Sequence, residues 1–134
     1  MTQTIDHIAV VVQDLDTALR FYRDALGLDV IERREVPEEQ VEVASLSLGT
    51  SSIELVQPLD TGSGVARFLE KRGEGLHHIC LTVEDITAAM ERLRDAGGDL
   101  ISEEPRVGAD GRRYAFIHPQ SAHGVLLELY EELE

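Results

Sequence analysis

Two histidines and two glutamates occupy comparable positions in this chain of 134 residues, and their side chains suit the binding of a metal ion. His7 lies in "TIDHIAVVV" and His78 in "GLHHICLTV", whereas Glu54 lies in "SSIELV" and Glu128 in "VLLELY". The interval from histidine to glutamate is 47 residues in the first pair and 50 in the second. Imidazole nitrogens and carboxylate oxygens are typical ligands of divalent transition metals.

The alternation of side chains along a strand gives a reason to treat these four residues as one set. Apolar residues flank both glutamates in the sequence, so each carboxylate points away from the apolar face of its strand. A carboxylate among apolar strands is costly unless a positive group meets it. Taken singly, each histidine could be a core residue and each glutamate a solvated one. The duplicated pattern favours a metal site.

The chain is internally repeated, and the repeat explains the duplicated pattern. Residues 5–30 align with residues 76–101 without a gap, and a duplication of this kind indicates two related half-domains. The identical pairs are His7/His78, Ile8/Ile79, Val12/Val83, Asp14/Asp85, Ala18/Ala89, Arg23/Arg94, Asp24/Asp95, Ala25/Ala96 and Gly27/Gly98.

Each half is predicted to contain a strand, a helix and three further strands. Asp14 and Asp85 are suited to cap the helix N-termini, and glycines follow both helices. The later strands are predicted at residues 28–36, 41–49 and 51–58, and at residues 99–104, 113–119 and 125–132. A linking helix capped by Ser63 is predicted between the halves. We therefore expect one domain over residues 1–134, made of repeats at about 4–58 and 75–132.

Composition excludes several classes of protein. The net charge is −14, from 26 acidic and 12 basic residues, and such a surface repels nucleic acid. No apolar run approaches the roughly 18 residues that a membrane-spanning helix needs. The single cysteine, Cys80, cannot form an internal disulfide, which favours a cytoplasmic location.

The chain resembles the vicinal-oxygen-chelate superfamily, and within it the methylmalonyl-CoA epimerase family. The stretches that carry this resemblance are "IDHIAVVVQDLDTALRFYRDALG", "IELVQPL", "VARFLEKRGEGLHHICLTVEDI", "EEPRVGADGRRYAFIHPQS" and "GVLLEL". The resemblance implies an α+β fold of glyoxalase type, in which tandem βαβββ modules form a cup-shaped, eight-stranded mixed sheet around a metal site. It also implies a homodimer.

The resemblance further implies the reaction and the roles of the site residues. The metal ligands would be His7, Glu54, His78 and Glu128, and the metal would be Co²⁺, with Mn²⁺, Ni²⁺, Zn²⁺ and Mg²⁺ as alternatives. The substrate would be methylmalonyl-CoA, epimerised through an enediolate that the metal stabilises. Glu42 and Glu128 would exchange the proton on opposite faces of that enediolate. Glu42 is expected on the same side as the metal ligands because it shares its parity with Ala44 and Leu46.

Basic residues are expected where the anionic coenzyme A portion of the substrate binds an acidic protein. The candidates are Arg112 and Arg113 in "GADGRRY", with Lys71 and Arg72 after the linking helix; each could equally be a solvated surface residue. Alternative functions are a lactoylglutathione lyase of glyoxalase I type, with the same His/Glu set, a metal-free binding protein of the same fold, and an extradiol dioxygenase.

Overall fold

The structure is a computed structural model that describes residues 3–108 and 110–132. The chain divides into two compact units. The first unit is His7–His77, and the second joins the residues up to Asp6 with those from His78 onward. Because the unit boundaries fall inside the strands that contain the two histidines, those strands begin in one unit and end in the other. The predicted single domain, whose bounds include residues outside the described ranges, stays a prediction.

The elements of the first unit are four strands, two α-helices, a π-helical segment and one short 3₁₀ helix. They are β1 (Thr4–Val11), α1 (Leu15–Leu19), the π-helical segment (Arg20–Ala25), β2 (Val30–Val36), the 3₁₀ helix (Pro37–Glu39), β3 (Val41–Leu48), β4 (Ser51–Pro58) and the linking helix α2 (Gly64–Arg72). Among the strands, β2 pairs antiparallel with β3, β3 pairs antiparallel with β4, and β4 pairs parallel with β1. This connectivity is the predicted βαβββ order.

The first helix begins at its predicted cap and then widens. The Asp14 carboxylate accepts hydrogen bonds from the backbone N–H groups of Asp16 and Thr17. After the α-helical residues, Arg20–Ala25 form a π-helical segment, in which the Leu26 N–H donates to the carbonyl of Phe21, five residues earlier. The sequence pattern predicts a regular α-helix here, and this part of the prediction is wrong.

The sheet of the first unit has two distinct faces. The helix face packs against α1 through a cluster of Val12, Leu15, Leu19, Ala44, Leu46 and Leu55. The opposite surface, which we call the far face, carries a smaller apolar cluster of Ala9, Val41, Val43 and Val56. The predicted alternation of β1 and β4 is therefore confirmed, since Val12 and Leu55 lie on the helix face.

The second unit repeats the same connectivity. Its elements are β5 (Gly75–Val83), α3 (Ile86–Asp95), β6 (Arg106–Val107), β7 (Arg113–Ile117) and β8 (Leu127–Glu131). Here β6 pairs antiparallel with β7, β7 pairs antiparallel with β8, and β8 pairs parallel with β5. The Asp85 carboxylate caps α3 by accepting the Ala88 N–H, as predicted.

The strands of the second unit also have two distinct faces, and one of these faces packs against α3. The buried cluster on its helix face is Val83, Ile86, Ala89, Met90, Ala115, Ile117 and Leu129. The far face of this unit is the surface on which Glu128 lies, because Glu128 alternates with Leu127 and Leu129.

The strand predicted at residues 99–104 is not formed, and this prediction is wrong. Leu100 makes an isolated bridge with Ile117, and the short β6 begins only at Arg106. The Ser102 hydroxyl accepts the N–H of Phe116, a bond that replaces part of a strand ladder. Pro105 follows and has no N–H to donate.

The linking helix α2 is confirmed. The Ser63 hydroxyl caps it by accepting the N–H of Ala66, and Gly73 follows its last residue with a φ of 78°. Among the residues that the structure describes, no helix is long and apolar enough to cross a membrane.

Candidate metal centre

The first unit brings His7 and Glu54 together on its far face. Both side chains project there because β1 and β4 run parallel, with Ala9 opposite Glu54 in the register. His7 Nδ1 lies 3.6 Å from Glu54 Oε2, and the two side chains are 6% and 19% exposed. A carboxylate and an imidazole are therefore held in contact in a largely buried position.

The second unit places His78 and Glu128 in the same way. These residues come from the parallel strands β5 and β8, in which Cys80 lies opposite Glu128. His78 Nε2 lies 3.1 Å from Glu128 Oε1, and the side chains are 13% and 12% exposed. The Phe116 ring meets the His78 ring edge to face, with 5.6 Å between the centroids, and so limits how the imidazole can rotate.

The chemistry of these two pairs fits a divalent cation. Each unit offers at least one imidazole nitrogen and one carboxylate oxygen, and all four side chains are more than four-fifths buried. A buried carboxylate needs a positive partner, which a cation or a protonated histidine can supply. The donor set of nitrogen and oxygen matches the preferences of first-row transition metals.

Glu42 does not lie on the far face, so the predicted orientation is wrong. Its parity with Ala44 and Leu46 is as expected, but those two residues pack against α1 on the helix face. The Glu42 carboxylate accepts a hydrogen bond from Arg33 Nε at 2.9 Å, and Arg33 also binds Asp16 at the start of α1. The residue of β3 next to Glu42 that does reach the far face is Val43.

Arg112 lies on the far face of the second unit. Its guanidinium stands over the Tyr130 ring at 3.9 Å from the centroid, and Nη1 lies 3.8 Å from Asp6 Oδ1. Tyr130 follows Glu128 by two residues in β8, so both side chains project from the same face. The Tyr130 hydroxyl donates to Asp110 at 2.5 Å; burial and this carboxylate raise the pKa of Tyr130 above its usual value.

Arg113 points to the helix face, and its predicted contact with substrate stays a prediction. It is bound to Glu131 through Nε at 3.0 Å and Nη2 at 2.7 Å, and it also donates to the Thr87 hydroxyl in α3. Glu131 in turn accepts the N–H of Ile86. The hydrogen bond from Arg113 lowers the pKa of Glu131, and the two side chains brace β7 and β8 against α3.

Lys71 and Arg72 are exposed in the last turn of α2, in the same unit as His7 and Glu54. The Arg72 guanidinium lies 5.6 Å from the centroid of the Phe68 ring. This contact does not identify a ligand for either residue, and their predicted role in substrate binding stays a prediction.

Three residues on the two far faces were missed at the level of sequence. Tyr130 could have been found, since it shares the parity of Glu128 in the same strand. Ser45 alternates with Ala44 and Leu46, and it was missed because those two residues were assigned to the wrong face. Arg34 could not have been found, because β2 contains a register shift between Val30 and Glu32, and this shift moves the later residues of β2 to the other face of the sheet.

Comparison with known proteins places the chain in a family. Residues 6–116 match the family model of the glyoxalase/bleomycin resistance protein/dioxygenase superfamily. An ethylmalonyl-CoA/methylmalonyl-CoA epimerase of Cereibacter sphaeroides is 43% identical over 131 residues, which cover 96% of this chain and 98% of that protein.

Solved structures give the same result. The methylmalonyl-CoA epimerase of Mycobacterium tuberculosis is 37% identical with a TM-score of 0.88, over 97% of this chain and 88% of the other. A variant of the Streptomyces coelicolor methylmalonyl-CoA epimerase, in complex with 2-nitronate-propionyl-CoA, is also 37% identical with a TM-score of 0.88, over 97% of both chains. The predicted glyoxalase-like fold class is thereby confirmed. The chain belongs to the glyoxalase/bleomycin resistance protein/dioxygenase superfamily.

Proposed function

We propose that this chain is an epimerase that interconverts the 2R and 2S forms of methylmalonyl-CoA. The observation that carries the proposal is the duplicated pair of a largely buried histidine with a largely buried glutamate, one pair on the far face of each unit. The similarity to methylmalonyl-CoA epimerases over nearly the whole chain supports this substrate.

We propose that His7, Glu54, His78 and Glu128 together hold one divalent metal ion. The repeat supports this set, because it gives each unit the same two ligand types in equivalent strands. A bound divalent cation would act as a Lewis acid that stabilises the negative charge left on the substrate oxygens when C2 loses its proton. For the ion itself we favour Co²⁺, on the resemblance to the family.

Epimerisation needs a proton acceptor on each side of the planar carbon, and we assign these roles to Glu128 and Glu54. Glu128 keeps the role predicted for it. In the described strands of the first unit, the far face carries two carboxylates, Glu54 and Glu32. Glu32 is 57% exposed and bound to Arg34, whereas Glu54 is buried beside His7. Glu54 therefore replaces Glu42 as the proposed partner of Glu128.

The basic residues support a coenzyme A thioester as substrate. Arg112 is held on the far face of the second unit by Tyr130 and Asp6, and we propose that it binds an anionic group of the thioester. We propose that Lys71 and Arg72 approach the phosphates of the coenzyme A portion of the substrate. We also propose a cytoplasmic homodimer, supported by the lone cysteine Cys80 and by the resemblance to the family.

The test is hydrogen exchange at C2 of the substrate. Incubation with methylmalonyl-CoA in D₂O should give deuterium at C2, and a chelator should abolish this uptake until Co²⁺ is added back. Turnover of the methylglyoxal–glutathione adduct without exchange of methylmalonyl-CoA would identify a lactoylglutathione lyase. Binding without turnover of either compound would identify a binding protein of the same fold.

A further inference from the structure

The strand β2 carries two consecutive arginines whose side chains lie on opposite faces of the first unit's sheet. Arg33 is opposite Ala44 in the register and lies on the helix face, where it binds Glu42 at 2.9 Å and Asp16 at 2.7 Å. Arg34 is opposite Val43 and lies on the far face, as does Val36, which packs against the apolar cluster there. Of the basic residues in the described strands of this unit, Arg34 is the one on the face that bears Glu54.

The guanidinium of Arg34 extends from β2 toward Glu54. Its Nη1 lies 3.5 Å from the hydroxyl oxygen of Ser45 in β3, and Ser45 lies opposite Glu54 in the pairing of β3 with β4. Side chains opposite each other in antiparallel strands have Cβ atoms about 4.5–5.5 Å apart. One residue, Ser45, therefore separates the guanidinium from Glu54 across the sheet.

The contacts of Arg34 leave it able to bind such an anion. Its ion-pair partner Glu32, at 3.2 Å, is 57% exposed, and an exposed pair of this kind contributes little. Ser45, by contrast, is 7% exposed and offers a hydroxyl beside the guanidinium. An incoming carboxylate could replace Glu32 at the guanidinium and also accept a hydrogen bond from Ser45.

We propose that Arg34 binds the free carboxylate of a malonyl-type thioester and selects such substrates over simple acyl thioesters. This inference rests on the proposed function. The planar guanidinium matches a carboxylate geometrically, and its charge also favours the negative charge that develops on the substrate when C2 is deprotonated. Arg34 thereby recognises the free carboxylate, the group that distinguishes malonyl-CoA derivatives from propionyl-CoA.

The experiment measures binding rather than turnover, by titration calorimetry of the Co²⁺-loaded protein with two thioesters. Malonyl-CoA carries the free carboxylate, and propionyl-CoA lacks it. The variant is Arg34→Gln, and the matched control is Arg33→Gln, the neighbouring residue on the other face. We expect Arg34→Gln to weaken the binding of malonyl-CoA roughly tenfold or more, because a charge-assisted hydrogen bond is lost. The affinity for propionyl-CoA should be unchanged. Arg33→Gln should leave the ratio of the two affinities as in the unmodified chain.

Two outcomes would overturn the proposal. An equal loss for both thioesters would mean that Arg34 binds the phosphates that they share, and unchanged malonyl-CoA binding would mean that it binds neither group. Arg34→Lys, which keeps the charge, should recover part of the affinity, and unchanged binding of propionyl-CoA to Arg34→Gln verifies that the glutamine variant is folded. Absence of deuterium exchange in the unmodified chain would refute the epimerase activity, whereas the affinity ratio would still report on Arg34.

Discussion

The two units share a scaffold and differ in what surrounds their histidine–glutamate pairs. The far face of the first unit is mostly aliphatic around Glu54, with Ala9, Val43 and Val56. The far face of the second unit is aromatic and polar, with Phe116 against His78 and with Arg112 stacked on Tyr130. The duplication thus preserves the atoms that can bind a metal, whereas the neighbours of those atoms have diverged.

The largest expected effect tests whether the two glutamates are equivalent in catalysis. Glu54→Gln and Glu128→Gln should each lower the rate of C2 deuterium exchange by about 10²–10⁴-fold, because each removes a proton acceptor. Glu42→Gln is the matched control, since this carboxylate lies on the helix face, and it should keep most of the activity. If Glu42→Gln lost more exchange activity than Glu54→Gln, the role of proton acceptor would return to Glu42. The two units would then not contribute equivalent catalytic glutamates.

The next effect tests whether the two histidines serve one ion. His7→Ala and His78→Ala should each weaken metal binding by more than the roughly 10–100-fold that the loss of an outer-shell partner costs. The bound metal, measured by elemental analysis after dialysis against Co²⁺, should be one ion per chain before mutation. His118→Ala, outside both pairs, is the control. Two ions per chain, one of them retained in each variant, would show that the units bind metal separately.

The smallest effect concerns the first backbone N–H of each unit's main helix. In the first unit the Gln57 side chain accepts the N–H of Leu15, and in the second the Glu131 carboxylate accepts the N–H of Ile86. These acceptors follow Glu54 and Glu128 by three residues each. One half therefore has a neutral acceptor and the other a charged one.

This charged acceptor should make the second unit more sensitive to acid. The pKa of Glu131 is lowered in the folded state by its hydrogen bond with Arg113, so its contribution is full above the unfolded pKa of about 4.3 and is lost as pH falls through the lowered value. In Glu131→Gln the midpoint of thermal unfolding should decrease less as the pH falls below about 4.3. The difference should correspond to at most about 1 kcal/mol in the free energy of unfolding. Glu132→Gln should leave the profile as it is, and an unchanged profile in Glu131→Gln would contradict the assignment.

The sequence-based predictions were correct for features that depend on a single residue and its immediate neighbours. Asp14, Ser63 and Asp85 were placed as helix caps, and the apolar flanks of Glu54 and Glu128 gave the correct face for both carboxylates. These features depend on side chains that act within a few residues of themselves. The roles of the metal ligands stay predictions until metal is measured.

The wrong predictions depended on how strands meet. Glu42 was given the correct parity but the wrong face, because parity alone does not state which surface of β3 the helix covers. Arg34 was not predicted at all: it follows a register shift, so counting from Val30 would place it on the helix face, whereas it lies on the far face. The strand predicted at 99–104 failed because Ser102 and Pro105 interrupt the ladder. These three cases concern how strands pair and which surface a helix covers, which a single sequence specifies weakly.

The run of four charged residues in β2, Glu32 to Glu35, has a consequence for solubility. Within the described strands β2 pairs with β3 alone, so its outer backbone groups could template a strand from another molecule. Because the register shift and the alternation distribute these charges over both surfaces, an approaching chain meets charge whichever way it docks. The charges of the strand that carries Arg34 thus also hinder fibril growth along its unpaired edge.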